Sequence, residues 1–340
     1  MKFLIHTGRY PMSTYDVATS YEAACRQLGV KSDFFNWASF CSVFNEQVGL
    51  QLSHSMTHRK NFEITHLLNV ANPDLPTWWL ESTDHIKKIA VTADSPWDWS
   101  EYEQRMQFYD LIFVNDKSIS DHYNDPKITY LPTAYGSDAR QIIVDNPAYH
   151  SDICFIGTVY PSRVPFFEAV YQYCKQTDRK FILKGCLDKY VPRDSILWEI
   201  GDHEMVDHLD TIRYYSNSKI VINTHRDPTW KPTEYSIHNV LKLDSYSLNP
   251  RFYELAMCKT LQMLESTQPE HGKYPNVCPI FTNSDNLVQQ IDKFLNAPEL
   301  RQNYIDTAYE TLKEHNYVNR LKVILKKIGI KQSLTEPIFK

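Results

Sequence analysis

The stretch DICFIGTVYPSR, Asp152–Arg163, carries the pattern that decides the fold. Its first half, Asp152 to Ile156, is a short apolar run that predicts a buried strand. Gly157 follows where this strand ends, and Ser162 is a candidate N-cap for a helix whose apolar positions recur at helical spacing. Strand, glycine turn and helix together make one βα unit, from which parallel sheets are built.

The same unit recurs on both sides of this stretch. The chain begins with the apolar run Lys2–Thr7 and Gly8, and a helix predicted from about Thr14 ends at Gly29, which tolerates a left-handed conformation. Short apolar runs predict further strands at residues 32–36, 88–92, 111–115 and 128–131, and then at 181–184, 219–223 and 261–264. Helical periodicity covers residues 205–216, 250–259 and most of the chain from 284 onward. The segment 38–61 is ambiguous and receives no assignment.

The periodicity stops between Tyr135 and Ser151, where polar residues with Gly136 and Pro147 take over. Such composition is typical of a linker between domains. We therefore expect an α/β protein with two domains, residues 1–148 and 149–316. Ligands of such folds bind at the carboxyl ends of the strands, which here meet in a cleft between the domains.

Glycine content and charge exclude several classes of protein. Only 9 of 340 residues are glycine, and no two are spaced as in a P-loop or a GxGxxG fingerprint. The net charge of −5, from 36 Lys and Arg against 41 Asp and Glu, includes no long run of one sign. A strongly basic nucleic-acid-binding surface is therefore not indicated.

Hydropathy and cysteine usage bear on location. The apolar runs are far shorter than the roughly 20 residues of a membrane span, and the beginning of the sequence lacks the apolar core of a signal peptide. Seven cysteines without a CxxC pair indicate reduced core residues, and the histidines lack metal-ligand spacing. We expect a cytoplasmic protein without a membrane span or a metal site.

The most informative candidate site is the stretch SLNPRFYELAMCKT, residues 247–260. Asn249 is a plausible N-cap with Pro250 at the first helical position, and Arg251 and Glu254 lie one turn apart on the same helix face. An arginine at a helix start suits a diphosphate, and a carboxylate one turn later can accept both hydroxyls of a ribose. The alternative is a surface ion pair between the two side chains.

Other candidates lie in the turns after strands. The turn Gly157-Thr158 and the helix behind it can present backbone N–H groups to an anion, and Arg163 adds a charged contact to a phosphate. Further donor-site candidates are Lys184 and Gly185, which end the strand FILK, and His225, which ends KIVINTH. Each of these is also compatible with a purely structural role.

The turn VTADSPWDW, residues 91–99, supplies a candidate for catalysis. A partly desolvated Asp94 is suited to act as a general base, and the neighbouring Trp97 can form an apolar wall for an acceptor. The alternative is that Asp94 hydrogen-bonds its own turn. Gly8 and Arg9, in the first strand-to-helix turn, are further candidates for acceptor binding.

Taken in order, TADSPW, YDLIFVND, YLPTAYG, DICFIGTVYPSR, KIVINTH and SLNPRFYELAMCKTLQMLES resemble the CgeB-like glycosyltransferases, a branch similar to the retaining family-4 transferases. The resemblance runs from about Ile86 to the final helix. It implies the GT-B fold, which has two facing Rossmann-like domains with parallel sheets and a cleft between them. The acceptor is then held by the first domain and a nucleotide-sugar donor by the second, and a C-terminal helix, residues 317–340, packs back toward the first domain.

The resemblance also implies a reaction. A sugar moves from a nucleoside diphosphate sugar, expected to be a UDP-sugar, to a hydroxyl of a glycan, protein, small molecule or modified DNA base, with no metal or other cofactor required. Arg251 and Glu254 correspond to the family's diphosphate and ribose contacts, and Gly157–Arg163 corresponds to its glycine turn and basic residue. Asp94 matches the family's Asp-x-Pro-Trp segment, and it is the base if the reaction inverts the anomeric centre, or an acceptor-positioning residue if the reaction retains it.

Two places depart from the family pattern: Lys259-Thr260 follows the helix where the family commonly has glycine, and Tyr246 replaces an acidic residue. Tyr246 stands eight residues before Glu254, where family-4 enzymes have an acidic residue, and Asp244 is the nearest carboxylate in the sequence. Two alternatives therefore accompany the leading hypothesis. One is a transferase that acts on modified bases in phage DNA, and the other is a catalytically silent binding or assembly protein of GT-B fold.

Overall fold

Two parallel six-stranded sheets organise the computed structural model, which describes residues 1–9, 11–71, 73–226, 239–265 and 268–330. The first sheet has the strand order β2-β1-β3-β4-β5-β6. Its strands are β1 (Lys2–Thr7), β2 (Lys31–Phe35), β3 (His66–Ala71), β4 (Lys87–Thr92), β5 (Leu111–Val114) and β6 (Ile128–Tyr130). Its helices are α1 (Pro11–Gln27), α2 (Trp37–Val43), α3 (Glu46–His58), α4 (Thr77–Glu81), α5 (Trp99–Tyr102) and α6 (Lys117–Tyr123). We call these elements the first domain.

The second sheet has the order β12-β11-β10-β7-β8-β9. Its strands are β7 (Ser151–Ile156), β8 (Phe181–Lys184), β9 (Gly201–Asp202), β10 (Ser218–Asn223), β11 (Leu261–Glu265) and β12 (Ile280–Phe281). The helices that follow in the chain are α7 (Val164–Thr177), α8 (His208–Ser216), α9 (Pro250–Met257), α10 (Ser284–Asn296), α11 (Pro298–Leu312) and α12 (Tyr317–Lys327). The elements from β7 to α11 form the second domain. Two facing α/β domains with parallel sheets confirm the expected fold class.

Each sheet is buried on both faces, because alternate side chains of its strands enter different hydrophobic clusters. In β1, Phe3 and Ile5 pack with α1, whereas Leu4 points to the opposite face and packs with Trp37 and Trp79. Such two-sided burial is typical of parallel sheets and explains why their strands read as continuous apolar runs.

Helix α12 returns to the first domain. Its buried residues Leu321, Ile324 and Leu325 belong to the hydrophobic cluster formed by β1 and α1. Arg320 donates hydrogen bonds to the backbone oxygens of Pro132 (2.7 Å) and Thr133 (2.9 Å). The chain thus crosses between the domains twice.

Among the described residues, no helix combines the length and hydropathy needed to cross a membrane.

Three local predictions differ from the structure. Ser162 is not an N-cap, because Pro161–Arg163 forms a 3₁₀ turn and α7 begins at Val164 with no side-chain cap. The helix predicted from Met205 begins at His208, because Asp207 accepts a hydrogen bond from the Asp210 N–H and sets the start there. The unassigned segment 38–61 contains α2, α3 and the start of a 3₁₀ turn at Lys60–Phe62, and the central strand β3 was absent from the sequence prediction.

Candidate functional site

A cleft of about 1010 Å³ lies between the two domains. It is placed where the carboxyl ends of both sheets meet, which is the usual ligand-binding edge of parallel α/β folds. Its lining includes Asp16, Asp94, Trp97 and Asp116 from the first domain, and Thr158, Arg163, His225, Asn249, Arg251 and Glu254 from the second. Most of the candidate donor-site residues are therefore brought together in one cavity.

Two glycines allow an unusually close packing beneath this cleft. Gly157 and Gly185 have φ values of +144° and +120°, which side-chain-bearing residues rarely adopt. A Cβ on Gly185 would lie 2.5 Å from the backbone oxygen of Gly157, and a Cβ on Gly157 would lie 2.9 Å from Nη2 of Arg251. The two glycines do not line the cleft themselves. They let two strand ends and the Arg251 guanidinium stack directly on one another.

Arg251 is held from two sides. Its Nη2 donates to the backbone oxygen of Ile156 (2.5 Å), its Nε donates to the Tyr215 hydroxyl (3.0 Å), and its guanidinium lies 4.9 Å from the centroid of the Phe155 ring. The helix start beside it is capped by Asn249, whose side-chain oxygen accepts from the Phe252 N–H at 3.1 Å. The cap prediction is confirmed, and the guanidinium is fixed at the N-terminus of α9.

Arg163 is buried beside it, with 7% of its surface exposed. Its guanidinium donates to the backbone oxygens of Thr158 (2.7 Å) and Thr224 (3.2 Å), and its Nε has no hydrogen-bond partner. Burial, together with the nearby charge of Arg251, lowers the pKa of Arg163 to about 9. Within the described part of the chain, no carboxylate forms an ion pair with either arginine. Buried positive charge of this kind is suited to an anionic ligand.

His225 adds a neutral donor or acceptor to the same wall. Burial and the neighbouring Arg163 lower the pKa of the imidazole to about 3, so that the ring is uncharged at physiological pH. Its backbone N–H donates to Glu265 Oε2 (3.0 Å), and its buried Nε2 has no hydrogen-bond partner.

Glu254 lies one turn after Arg251 and lines the cleft. Among the described residues its carboxylate forms neither a hydrogen bond nor an ion pair, so the surface ion pair with Arg251 is not seen. Burial raises the pKa of Glu254, and the nearby His208 and Arg251 oppose this shift. The carboxylate oxygens are therefore available to accept hydrogen bonds from a bound ligand.

Asp94 faces the cleft from the first domain with a half-buried side chain. Its side chain is 48% exposed, and its Oδ2 lies 3.1 Å from Nη1 of Arg226 in the second domain. Trp97, with 7% of its surface exposed, lies beside them and lines the cleft as expected. Sequence reasoning missed Arg226, although its position directly after His225 at the end of β10 was a usable signal.

Besides Gly157 and Gly185, three more predicted site residues, Gly8, Arg9 and Lys184, lie outside the cleft lining. Lys184 forms an ion pair with Asp202 at the neighbouring strand. Arg9 forms an ion pair with Glu46 (2.6 Å) and follows Gly8, which is buried. Lys184 and Arg9 thus each pair with a carboxylate of their own domain.

Asp74, beside Arg9, gives the first testable prediction. Its Oδ2 accepts from the Arg9 N–H (3.3 Å), its buried Oδ1 has no partner, and burial raises the pKa of the carboxyl to about 7. A raised pKa in the folded state means that ionisation opposes folding, so this cost is absent at low pH and grows as the pH rises toward 7. Asp74→Asn should therefore raise the melting temperature at pH 8, by about 2–4 °C for each kcal/mol regained, and the gain should shrink at pH 5.

Thermal unfolding of both proteins at the two pH values measures this effect. Asp145→Asn is the matched control, because Asp145 is exposed. A gain that is equal at pH 5 and pH 8, or a loss at both, would contradict the prediction.

At Tyr246, where family-4 enzymes have an acidic residue, the backbone contacts a carboxylate of the other domain. The Tyr246 N–H donates to both carboxylate oxygens of Asp116, to Oδ2 at 3.0 Å and to Oδ1 at 3.2 Å. The Ser247 N–H (3.1 Å) and the Ser245 hydroxyl (2.7 Å) donate to Oδ2 alone. Asp116 is buried and belongs to the first domain, two residues after the end of β5. Asp244, the nearest carboxylate in the sequence, is exposed. A carboxylate from the opposite domain thus fixes the loop that leads into α9.

A second buried carboxylate joins the domains nearby. Glu270 accepts from the Tyr130 hydroxyl of the first domain (2.6 Å) and from the Leu248 N–H (3.0 Å).

In the part of the chain that the structure describes, no group of three or more His, Cys, Asp or Glu side chains is arranged to hold a metal ion.

Comparisons with known proteins agree with this architecture. Residues 166–326 match the family described as glycosyl transferase-like. The spore protein CgeB of Bacillus subtilis (strain 168) is 22% identical over 297 residues, which cover 83% of this chain and 89% of that protein.

Two solved structures share the fold. An alpha-glucosyltransferase in complex with UDP-glucose and DNA containing an abasic site has a TM-score of 0.64 at 10% identity, covering 97% of this chain and 99% of that one. An alpha-glucosyltransferase in complex with UDP and a 13-mer DNA containing a HMU base has a TM-score of 0.67 at 10% identity, covering 97% and 100%. Together with the sequence matches, they confirm the resemblance to CgeB-like glycosyltransferases and the GT-B fold.

Proposed function

We propose that this chain, which has the GT-B fold and matches a glycosyl transferase-like family over residues 166–326, transfers a sugar from a UDP-sugar, bound by the second domain, to a hydroxyl group presented at the first. The observation that carries this proposal is the pair at the start of α9, where a fixed Arg251 lies one turn from a Glu254 carboxylate without a partner. The UDP and UDP-glucose bound by the two structural neighbours support UDP as the nucleotide.

The donor site has a clear division of labour in this proposal. Glu254 accepts hydrogen bonds from the two ribose hydroxyls, while Arg163 and Arg251 face the diphosphate. As the bond between sugar and diphosphate breaks, negative charge accumulates on the leaving phosphate. Fixed donors aimed at that charge stabilise the transition state, because they need no reorganisation when the charge develops. The two guanidinium groups and the N-terminus of α9 supply this positive charge without a metal ion.

The acceptor side of the cleft favours an uncharged, hydroxyl-bearing acceptor. Among the described residues, the first-domain side of the lining includes the carboxylates of Asp16, Asp94 and Asp116 and contains no lysine or arginine. A DNA backbone requires a basic surface, so this wall favours a glycan or another neutral acceptor over a base in DNA. A carboxylate at Asp94 can accept a hydrogen bond from the acceptor hydroxyl.

All seven cysteines are unpaired, as in a reducing compartment, which supports a reaction in the cytoplasm.

Calorimetric titration of UDP into Glu254→Ala tests the donor assignment. Loss of the two carboxylate–hydroxyl bonds should weaken UDP binding by about 10- to 100-fold. The wild type should also prefer UDP to 2′-deoxy-UDP, and the variant should lose this preference because its ribose contact is gone. Unchanged UDP affinity in the variant would refute the ribose assignment.

Glu299→Ala is the matched control, since Glu299 is exposed on the first turn of α11, and it should bind UDP like the wild type. Release of sugar from a UDP-sugar by the wild type separates a transferase from a silent binding protein. UDP binding without any turnover would favour the silent alternative.

A further inference from the structure

Arg226 makes a contact across the cleft that the donor site as described does not use. It follows β10 in the second domain, and 21% of its side chain is exposed. Its Nη1 lies 3.1 Å from Asp94 Oδ2 of the first domain, and its Nη2 donates to the Tyr160 hydroxyl at 2.8 Å. Asp94 is therefore occupied by an arginine at the position where an acceptor hydroxyl would need it.

Arg226 is the last member of an alternating row of guanidinium groups and rings. Arg251 and Arg163 lie 4.9 and 5.5 Å from the Phe155 ring centroid, and Arg163 and Arg226 lie 4.8 and 5.2 Å from that of Tyr160. We call Arg251, Arg163 and Arg226 the arginine row. Arg226 therefore shares the Tyr160 ring with Arg163, a residue that we have assigned to the diphosphate.

The arginine row carries three positive charges, and Asp94 is the carboxylate that forms an ion pair with one of them in the described part of the chain. Burial lowers the pKa of Arg163, and the positive charges of Arg251 and Arg226 repel its guanidinium and lower that pKa further. A diphosphate in the cleft would relieve this repulsion. An ion pair with a half-exposed carboxylate is weak, whereas a charge-assisted contact between arginine and phosphate is strong, so the phosphate is the better partner for Arg226.

We propose that Arg226 exchanges partners during the reaction, binding Asp94 in the empty cleft and the donor diphosphate once the donor arrives. The rings of Tyr160 and Trp97, 5.2 and 5.8 Å from its guanidinium, keep Arg226 in the cleft during the exchange. Donor binding thereby releases the Asp94 carboxylate, which becomes available to the acceptor hydroxyl only when a sugar is in place to be transferred. This inference rests on the proposed function, because it requires a diphosphate donor.

The exchange predicts opposite effects for the two partners. Arg226→Gln should weaken UDP binding by roughly tenfold, the effect of one lost charge-assisted contact, and should leave the binding of uridine, which has no phosphate, unchanged. Asp94→Asn should tighten UDP binding by about two- to fivefold, because Arg226 no longer has to leave an ion pair. The double variant should bind UDP like Arg226→Gln, since the effect of Asp94 acts through Arg226.

Calorimetry of UDP and uridine with these variants is the experiment. Arg140→Gln, at an exposed arginine of the linker, is the matched control and should bind both ligands like the wild type. Thermal unfolding checks the fold of each variant, and Arg226→Lys carries the same test, with UDP affinity between those of the wild type and the glutamine variant, if Arg226→Gln does not fold.

Two results would overturn the exchange while leaving the proposed function intact. One is that replacing Arg226 has no effect on UDP binding or weakens UDP and uridine equally, and the other is that Asp94→Asn leaves UDP affinity unchanged or lowers it. A wild type that binds no UDP would instead refute the proposed function, and the exchange with it.

Discussion

Arg251→Lys is expected to lower kcat/KM for the donor by about 10²- to 10³-fold, the usual cost of removing one fixed donor from a developing anion. The substituted lysine keeps the charge but has no planar fork, so it cannot bond Ile156 and Tyr215 at once while facing the cleft. The positive charge would then sample several positions instead of one. Steady-state kinetics with a UDP-sugar, by transfer or by hydrolysis, measures the effect.

Arg26→Lys provides the matched control for this substitution. Arg26 is 71% exposed on α1 and forms only a loose pair with Glu22, at 3.6 Å, so the same chemical change there should leave kcat/KM unaltered. Activity of Arg251→Lys within a factor of about three of the wild type would show that charge alone suffices at this position. It would contradict the argument from fixed geometry.

Gly185→Ala should destabilise the second domain by roughly 3 kcal/mol or more, because it combines a clash with strain. The new Cβ would lie 2.5 Å from the backbone oxygen of Gly157, and a φ of +120° is unfavourable for alanine. Backbone on both sides cannot yield as a flexible side chain can. Since Gly157 packs against Arg251, we also expect weaker UDP binding in whatever fraction of the protein folds.

Two other glycines separate the clash from the strain. Gly29 has a φ of +66° but nothing within 4 Å of its missing Cβ, so Gly29→Ala should cost about 1 kcal/mol from backbone strain alone. Gly272 has open space and no positive φ, so Gly272→Ala should be close to neutral. Urea unfolding should show Gly272→Ala as the most stable of the three variants, followed by Gly29→Ala and then by Gly185→Ala. A Gly185→Ala protein as stable as Gly29→Ala would contradict the close packing of Gly185 against Gly157.

Most of the fold follows from local sequence patterns. Strands β1, β7, β8 and β10 are continuous apolar runs, as expected of strands buried on both faces, and their predicted bounds differ from the observed ones by at most one residue. Strand β3 escaped detection because HLLNVA contains His66 and Asn69 within a short run, and its place between β1 and β4 is set by the sheet rather than by its own residues. Local periodicity does not contain that information.

Local sequence patterns likewise predict some residues of the candidate site and not others. Asn249, Arg251 and Glu254 were predictable because one helix fixes their spacing and the helix cap has a sequence signature. The partnerships of Asp94 with Arg226 and of Asp116 with residues 245–247 join residues about 130 positions apart. They depend on how the two domains face each other, which no local pattern encodes.

The loop before α9 has a consequence for how such enzymes diversify. Its backbone is held by Asp116 of one domain and Glu270 of the other, so the proposed nucleotide pocket depends on both domains. A chimera that joined this second domain to a new acceptor domain would inherit the pocket only if the incoming half supplied a carboxylate at the place of Asp116 and a hydroxyl at that of Tyr130. Recombination between relatives is thereby restricted to halves that share this joint, whatever acceptors they recognise.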